Sequence, residues 1–271
     1  MQELFAAARI ATSLGFLIYA SWSDYRTREV SNRVWITFAP IALILTLAEL
    51  ALYDSATLPF YGLSFGVTAV IALLLFYSGG FGGADSKALI CIALALPFST
   101  EILFRPLLPN GLSPLAQNLF PLTIFSNAVL FAAASGIYLF VFNLVWHKKK
   151  GRKMFEGTLA KEPITKKLAA LITGRRVSIN QLKAKWHVYP MEDLENEDSE
   201  NLPKRTLTIM PKDEGRDEIV TRLSSAVDAG KIDSHVWATP GLPMLIFVTA
   251  GLVVAIFFGD IVWVLINSIL G

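Results

Sequence analysis

The segment Ser78-Gly79-Gly80-Phe81-Gly82-Gly83-Ala84-Asp85-Ser86-Lys87 separates two apolar runs of the chain and contains a single carboxylate. Five of its first six residues are Ser or Gly, so a helix cannot continue through it without a cost in free energy. Because an apolar run resumes directly afterwards, we predict that Asp85 is the N-cap or a first-turn residue of a new helix. An acid at a membrane boundary is costly and is usually functional.

The composition around this segment is that of an integral membrane protein. The chain has 271 residues, of which 54% are hydrophobic and only 17% charged, whereas a soluble domain carries about 25% charged residues. Most of its Lys and Arg residues lie between Lys148 and Lys231. We therefore predict a membrane domain at 1–146, a polar insert at 147–240, and a last helix with a tail at 241–271.

Six apolar segments predict an all-α polytopic membrane protein with six transmembrane helices and a small cytoplasmic α+β insert before the last one. The segments are 4–22, 34–52, 60–77, 88–97, 119–146 and 242–258. The fourth is short, since Asp85 to Pro97 covers only about 20 Å of helix against a hydrocarbon core of about 30 Å. Either this helix continues through Leu103 with a kink at Pro97, or its start is recessed into the membrane.

The distribution of basic residues predicts the orientation of the spans. Arg26, Arg28 and Arg33 follow the first span, and a basic run at 148–153 follows the fifth. Basic residues near span ends mark the cytoplasmic side, so we predict a multi-pass protein of the cytoplasmic membrane with its N-terminus outside. This orientation places Asp24 and Asp85 at the same cytoplasmic face.

Two carboxylates at one membrane face can form an aspartic dyad. One carboxylate, ionised, takes a proton from water, while the other, protonated, hydrogen-bonds the scissile carbonyl. Taken alone, the residues fit equally well with two unrelated acids, one beside Arg26 and one at a helix start. The same reasoning makes Arg9 a snorkelling residue near its span end, and makes Glu49 and Asp260 interfacial residues at the opposite face.

Two motifs resemble those of the type IV prepilin peptidases. Ser23-Asp24-Tyr25-Arg26, followed by Glu29-Val30-Ser31-Asn32, is similar to the first aspartate motif of that family. The stretch from Gly82 to Leu89 resembles the second, GxGD-type motif, with Ala84 in place of a glycine. The insert and Trp237-Ala238-Thr239-Pro240 resemble the archaeal branch, the preflagellin (prearchaellin) peptidases.

The resemblance implies an aspartic membrane endopeptidase that removes short basic leader peptides from preflagellin- or prepilin-like proteins. Asp24 and Asp85 would be the catalytic pair, and Gly82, Gly83 and Lys87 would support or position the substrate. It implies no metal, no organic cofactor and no nucleic-acid partner. Preproteins and the lipid bilayer would be the partners. The acids within 191–200 could bind a basic leader, but a solvated, flexible acidic loop is the favoured interpretation of them.

A membrane protein of another class is the main alternative to a peptidase. Intramembrane acids beside a broken helix also occur in ion-coupled transporters. Such a transporter usually has internal repeats with a second broken helix, and this sequence has one clear break, at 78–84. The single Cys91 excludes an intrachain disulfide and a cysteine-clustered zinc site.

Overall fold

The chain is mostly helical (70%) in a computed structural model that describes residues 1–151, 153–195, 204–208 and 215–270. The longer helices carry the apolar segments. They are α1 (Gln2–Thr27), α2 (Asn32–Tyr53), α3 (Leu58–Tyr77), α4 (Gly83–Ala95), α5 (Pro114–Asn118) and α6 (Phe120–Lys150). The polar region contains α7 (Ile164–Thr173), β1 (Arg175–Ser178), α8 (Ile179–Ala184), β2 (Tyr189–Pro190), β3 (Glu192–Leu194), β4 (Arg205–Leu207), α9 (Arg216–Asp228) and β5 (His235–Thr239). The chain closes with α10 (Met244–Phe258) and α11 (Ile261–Leu270).

Within the described ranges, four helices are long and apolar enough to cross a membrane, or five if the bent pair α10 and α11 counts as one span. This confirms an apolar helical protein with several candidate spans, whereas the sixth span stays a prediction. The helix α4 has only 13 residues and ends at Ala95. The expectation that it continues through Leu103 is therefore wrong, because the chain leaves the helix before Pro97.

Residues 1–132 and 243–271 form one compact unit. Its hydrophobic core surrounds α4, which contacts α1, α2, α3 and α10. Small side chains on α4 allow these helices to approach closely, and Ala88, Ala93 and Ala95 are fully buried. The short helix that follows the glycine segment is thus the central element of this unit.

The break between α10 and α11 is a packed turn. The two helices meet at 61°, and Gly259 at the break has φ +81°. A Cβ on Gly259 would lie 2.2 Å from the carbonyl oxygen of Gly111, so only glycine fits there. Asp260, expected at the interface, is instead buried. It accepts hydrogen bonds from the Ser113 hydroxyl (2.6 Å) and the Trp263 backbone N–H (3.0 Å).

Residues 133–242 form the second compact unit, which contains the small strand region near the C-terminus. The strands β1, β5 and β2 form one antiparallel sheet in that order, and β3 pairs with β4 in a second. The buried Trp237 donates its backbone N–H to Glu192 (2.7 Å), and Glu192 also pairs with Arg205. The predicted division at 147 and 240 stays a prediction.

The acids expected to attract a basic leader are mostly paired where the structure describes them. Within 191–195, Asp193 pairs with Arg222 at 2.8 Å, and Glu195 pairs with Lys204. Residues 196–200 of this acidic stretch lie outside the described ranges. The described acids therefore stabilise the fold of the insert through internal ion pairs.

Candidate active site

The first aspartate lies in the last turn of α1. Asp24 is half-buried, and its backbone carbonyl accepts the N–H of Arg28 at 2.9 Å, which closes the helix. Arg28 takes the left-handed conformation with φ 57°, which is uncommon for a residue other than glycine. This turn directs the Arg28 guanidinium back to the Asp24 carboxylate, at an N–O distance of 3.8 Å. Arg26 lies elsewhere, over the Trp22 ring.

The turn after Asp24 is held by its own hydroxyl groups. Ser23 donates to the carbonyl of Glu29 at 2.7 Å, and Thr27 donates to the carbonyl of Ser23 at 2.9 Å. Short polar side chains of this kind favour chain reversals because they bond to nearby backbone groups. The turn defines where α1 ends and therefore where the Asp24 side chain lies.

The glycine segment makes two distinct structures in succession. It first closes α3, because Gly80 and Phe81 both donate backbone N–H groups to the carbonyl of Leu75. Gly79 has φ 76°, a conformation that an L-residue rarely adopts. Phe81 then packs edge-to-face on Phe125, with ring centroids 5.4 Å apart. The chain reverses here and enters α4.

The second aspartate lies in the first turn of α4, as predicted, with Gly82 as the N-cap. The backbone N–H of Gly82 donates to Asp85 Oδ2 at 3.1 Å. A Cβ on Gly82 would lie 3.1 Å from the same oxygen, tighter than ordinary contact, so a side chain there would press on the carboxylate. A Cβ on Gly83 would make only an ordinary contact with the Phe76 ring.

The two carboxylates act on each other electrostatically. The charge of Asp24 repels that of Asp85, and Arg28 attracts both. Helix packing brings this about, since α1 and α4 both belong to the first unit and are in contact. Two partly buried carboxylates with one nearby cation form an arrangement that can share a proton.

The remaining predicted site residues lie around the start of α4. Lys87 is exposed and donates from Nζ to the Asn32 side-chain oxygen at 2.6 Å, which links the first turns of α4 and α2. Ala84 is helical, as expected, because the non-glycine residues with positive φ in the described ranges are Arg28 and Asn110. Gly82 therefore contacts the Asp85 carboxylate, whereas Lys87 contacts Asn32 on α2.

Sequence reasoning missed two features of this unit. Arg28 was used only to orient the chain, although its spacing of four residues from Asp24 on a helix is a recognisable ion-pair signal. Arg9 was expected to snorkel and Glu49 to lie at the interface, and both expectations are wrong. The two side chains are buried and form an ion pair at 2.8 Å. No local sequence pattern predicts an ion pair between two residues that lie this far apart in the chain.

A metal site has no support from the side chains that the structure describes. No three His, Cys, Asp or Glu residues in these ranges are grouped so that they could hold a metal ion. The two aspartates are accompanied by an arginine, which is a poor neighbour for a cation.

Two family models match the chain on either side of the insert boundary. The model of the type IV leader peptidase family matches residues 11–137, which include both aspartates. The model described as the archaeal peptidase A24 C-terminus, type II, matches residues 166–261. Through these two matches the chain is similar to the type IV leader peptidase family in both of its parts.

Relatives from this family align along almost the whole chain. A preflagellin peptidase of Methanococcus voltae is 29% identical over 259 residues, which cover 93% of this chain and 96% of the relative. A preflagellin peptidase of Methanococcus maripaludis is 25% identical over 255 residues, covering 90% and 92%. The resemblance read from two short motifs is thereby confirmed at the level of the family.

Proposed function

We propose that the protein is a membrane-embedded aspartic endopeptidase that removes short basic leader peptides from preflagellin- or prepilin-like proteins. The family-model matches and the names of the relatives support the removal of leader peptides. The aspartic mechanism is proposed on one observation: Asp24 and Asp85 lie on α1 and α4, two helices that are in contact, and the charge of Asp24 acts on Asp85.

The proposed chemistry uses the two carboxylates as one unit that shares a proton. The ionised member accepts a proton from a water molecule while the water oxygen attacks the scissile carbonyl carbon. The protonated member donates a hydrogen bond to the carbonyl oxygen, which becomes a hydroxyl of the tetrahedral intermediate. In forming that hydroxyl the oxygen takes the proton of the protonated member. The intermediate then collapses as the C–N bond breaks: the new amine takes the proton that the other carboxylate received from water, and one hydroxyl of the intermediate returns a proton to the carboxylate that had given up its own, which restores the dyad.

The surroundings suit a substrate with a basic leader and an apolar helix. We propose six spans with the N-terminus outside, so that the ends of α1 and α4 that carry the aspartates lie at the cytoplasmic face of the cytoplasmic membrane. Gly79 and Gly80 are exposed there, and they leave open backbone beside the first turn of α4. A leader could approach this segment while the substrate's helix remains in the lipid bilayer.

Leader release from a pilin-like substrate by detergent-purified protein tests this function. We expect Asp24→Asn and Asp85→Asn each to lower kcat by about 10²- to 10⁴-fold, because Asn cannot carry the shared proton. Asp54→Asn is the matched control, since Asp54 is an exposed acid at the C-terminal end of α2. It should cleave as the parent does.

Two results would contradict the proposal. A folded parent that cleaves no leader, or an Asp24→Asn variant with near-parental activity, would show that the two acids are not a catalytic pair. Ion-coupled transport would then be the function to test in proteoliposomes.

A further inference from the structure

The C-terminal end of α4 is buried among other helices. Its last carbonyl groups have no intrahelical donors, which is true of every helix end. Side chains from three other helices supply hydrogen bonds to this end, and the carbonyl of Pro97 also accepts the backbone N–H of Phe120 at 3.2 Å. The acceptors are the carbonyl oxygens of Leu94, Ala95 and Pro97.

Two helices contribute hydroxyl donors to this end. Thr46 on α2 donates to the carbonyls of Leu94 (2.8 Å) and Ala95 (3.2 Å). On α3, Tyr61 donates to Leu94 at 3.4 Å, and Ser64 donates to the carbonyl of Pro97 at 3.0 Å. Thr46 and Ser64 are fully buried, so these bonds form away from solvent.

The helix α1 contributes a charged donor. Arg9 donates from Nη1 to the carbonyl of Ala95 at 3.0 Å, and its Nε lies 2.8 Å from Glu49 Oε2 on α2. Gln2 also hydrogen-bonds Glu49. The side chains of the pair are 10% and 7% exposed, respectively. A cation at the C-terminus of a helix interacts favourably with the helix dipole.

A buried ion pair is a poor means of adding stability. Removing two charges from water costs several kcal/mol per ion, and well-packed apolar residues in their place are often as stable or more stable. A role in orienting a neighbouring element is therefore the better account of the pair. The element that it orients is the C-terminal end of α4, the helix whose first turn carries Asp85.

The same two helices meet again at the other end of α4. Arg9 and Asp24 both lie on α1, about 22 Å apart at 1.5 Å per residue. Asp85 and Ala95 are about 15 Å apart on α4. Arg9 bonds Ala95 near one end of α4, while Asp24 and Asp85 lie on the same two helices toward its other end. The Arg9–Ala95 bond is thus one fixed point of contact between the two helices that carry the aspartates.

We propose that Arg9, held by Glu49, is a positioning residue that sets the separation of Asp24 and Asp85. This inference rests on the proposed function, because it assigns the pair a role in aligning the catalytic carboxylates. An anchor at the far end suits this helix, because its start is held by the hydrogen bonds of Gly82 to Asp85 and of Lys87 to Asn32.

The decisive variant is the double substitution Arg9→Met/Glu49→Met. It removes both charges together, so neither is left buried and unpaired, and a purely structural pair should be replaceable in this way. We expect the folded double variant to keep KM within about two-fold and to lose roughly ten- to a hundred-fold in kcat, the effect of a small misplacement of catalytic groups. Arg9→Lys, which keeps a donor and the charge, should recover much of this loss.

A second measurement does not depend on peptidase activity. In a Cys91→Ala background, the pair Asp24→Cys and Asp85→Cys is treated with a short thiol-specific cross-linker in membranes. Adding Arg9→Met/Glu49→Met should slow cross-linking at least about five-fold if register is lost. Asn127→Leu is the control, because the hydrogen bonds of Asn127 in the described residues go to Gly259 and Ile261, at the turn between α10 and α11. It should leave the cross-linking rate unchanged.

The outcomes separate the two proposals. If the parent cysteine pair does not cross-link, the carboxylate pair and the proposed function fail together with the positioning role. If the parent pair cross-links and the double variant does so at the same rate, or with unchanged kcat, only the positioning role is overturned. Equal slowing in Asn127→Leu would also overturn it, since the effect would then be general loosening.

Discussion

The two ends of α4 are held in different ways. At its C-terminal end, Arg9, Thr46 and Tyr61 donate to the carbonyls of Leu94 and Ala95, and Ser64 donates to the carbonyl of Pro97 just beyond the helix. At its N-terminal end, Asp85 accepts one backbone N–H from Gly82, and Lys87 reaches Asn32 at the surface. The glycines before it are exposed. One end is fixed by many bonds and the reactive end by few.

This difference means that substitutions at the two ends of a single helix change stability and activity in different proportions. Substitutions at the C-terminal end disturb buried charges and polar groups, so their first effect is on the free energy of unfolding. Substitutions at the N-terminal end touch exposed backbone beside a carboxylate, so their first effect is on catalysis. The four predictions below test this difference between the two ends of α4.

The largest effect should come from breaking the buried pair on one side only. Arg9→Met leaves Glu49 buried without its cation, and we expect the free energy of unfolding to fall by about 3–5 kcal/mol. The double variant with Glu49→Met should recover most of that loss. Urea unfolding of the detergent-solubilised protein measures both. A single variant as stable as the parent would mean that the pair is hydrated in the membrane protein.

A smaller and purely catalytic effect should follow from Gly82→Ala. Its new Cβ would lie 3.1 Å from Asp85 Oδ2 and displace the carboxylate, so we expect kcat to fall roughly ten-fold with little change in stability. Gly83→Ala is the matched control, because its Cβ meets the Phe76 ring at an ordinary 3.6 Å. Leader-release kinetics compare the two. Equal activities in the two variants would show that the contact at Gly82 does not matter.

Restoring the strict motif with Ala84→Gly should lower stability without raising activity. Ala84 lies within the first turn of α4 and does not need positive φ, so glycine adds only conformational freedom to the unfolded chain. We expect a loss of about 0.5–1 kcal/mol in the free energy of unfolding. Thermal unfolding together with the cleavage assay checks this. A gain in kcat would indicate that the first turn must bend during catalysis.

The smallest effect should come from Lys87→Met. This change removes an exposed hydrogen bond to Asn32, and exposed polar contacts contribute little to stability. We expect kcat to change less than about two-fold, because the ammonium is held on α2. Asn32→Ala should change kcat equally little, and the double variant should have the same kcat as either single variant. A loss comparable to that of Asp85→Asn would instead place Lys87 in the catalytic machinery.

Much of the fold was readable because apolar length and glycine chemistry are local properties. The glycine segment predicted a helix start at Asp85, and α4 begins at Gly83. The run after it was too short for a span, and the helix indeed ends at Ala95, before Pro97. The break at Gly259 was visible too, although the buried surroundings of Asp260 were not, because its partner Ser113 lies far away in sequence.

The candidate site was readable in part for the same reason. Asp24 and Asp85 stand in short motifs whose residue types can be recognised one by one, and the distribution of basic residues suggested that they share a face. The pairing of Arg28 with Asp24 was not predicted from the sequence. The left-handed turn that directs Arg28 back to Asp24 depends on hydrogen bonds from nearby hydroxyl groups and on a backbone conformation that non-glycine residues seldom adopt.

The sequence by itself determined the class of protein, the helix start at the glycine segment and the two motifs that carry the aspartates, because each follows from composition or from adjacent residues. Only the tertiary structure decided that α4 is the central helix and that Arg9 and Glu49 meet at its buried end. A charge within an apolar run is costly wherever it lies. Whether the charged side chain reaches the membrane surface or pairs with a residue of another helix depends on how the helices pack, and a local sequence pattern does not predict that packing.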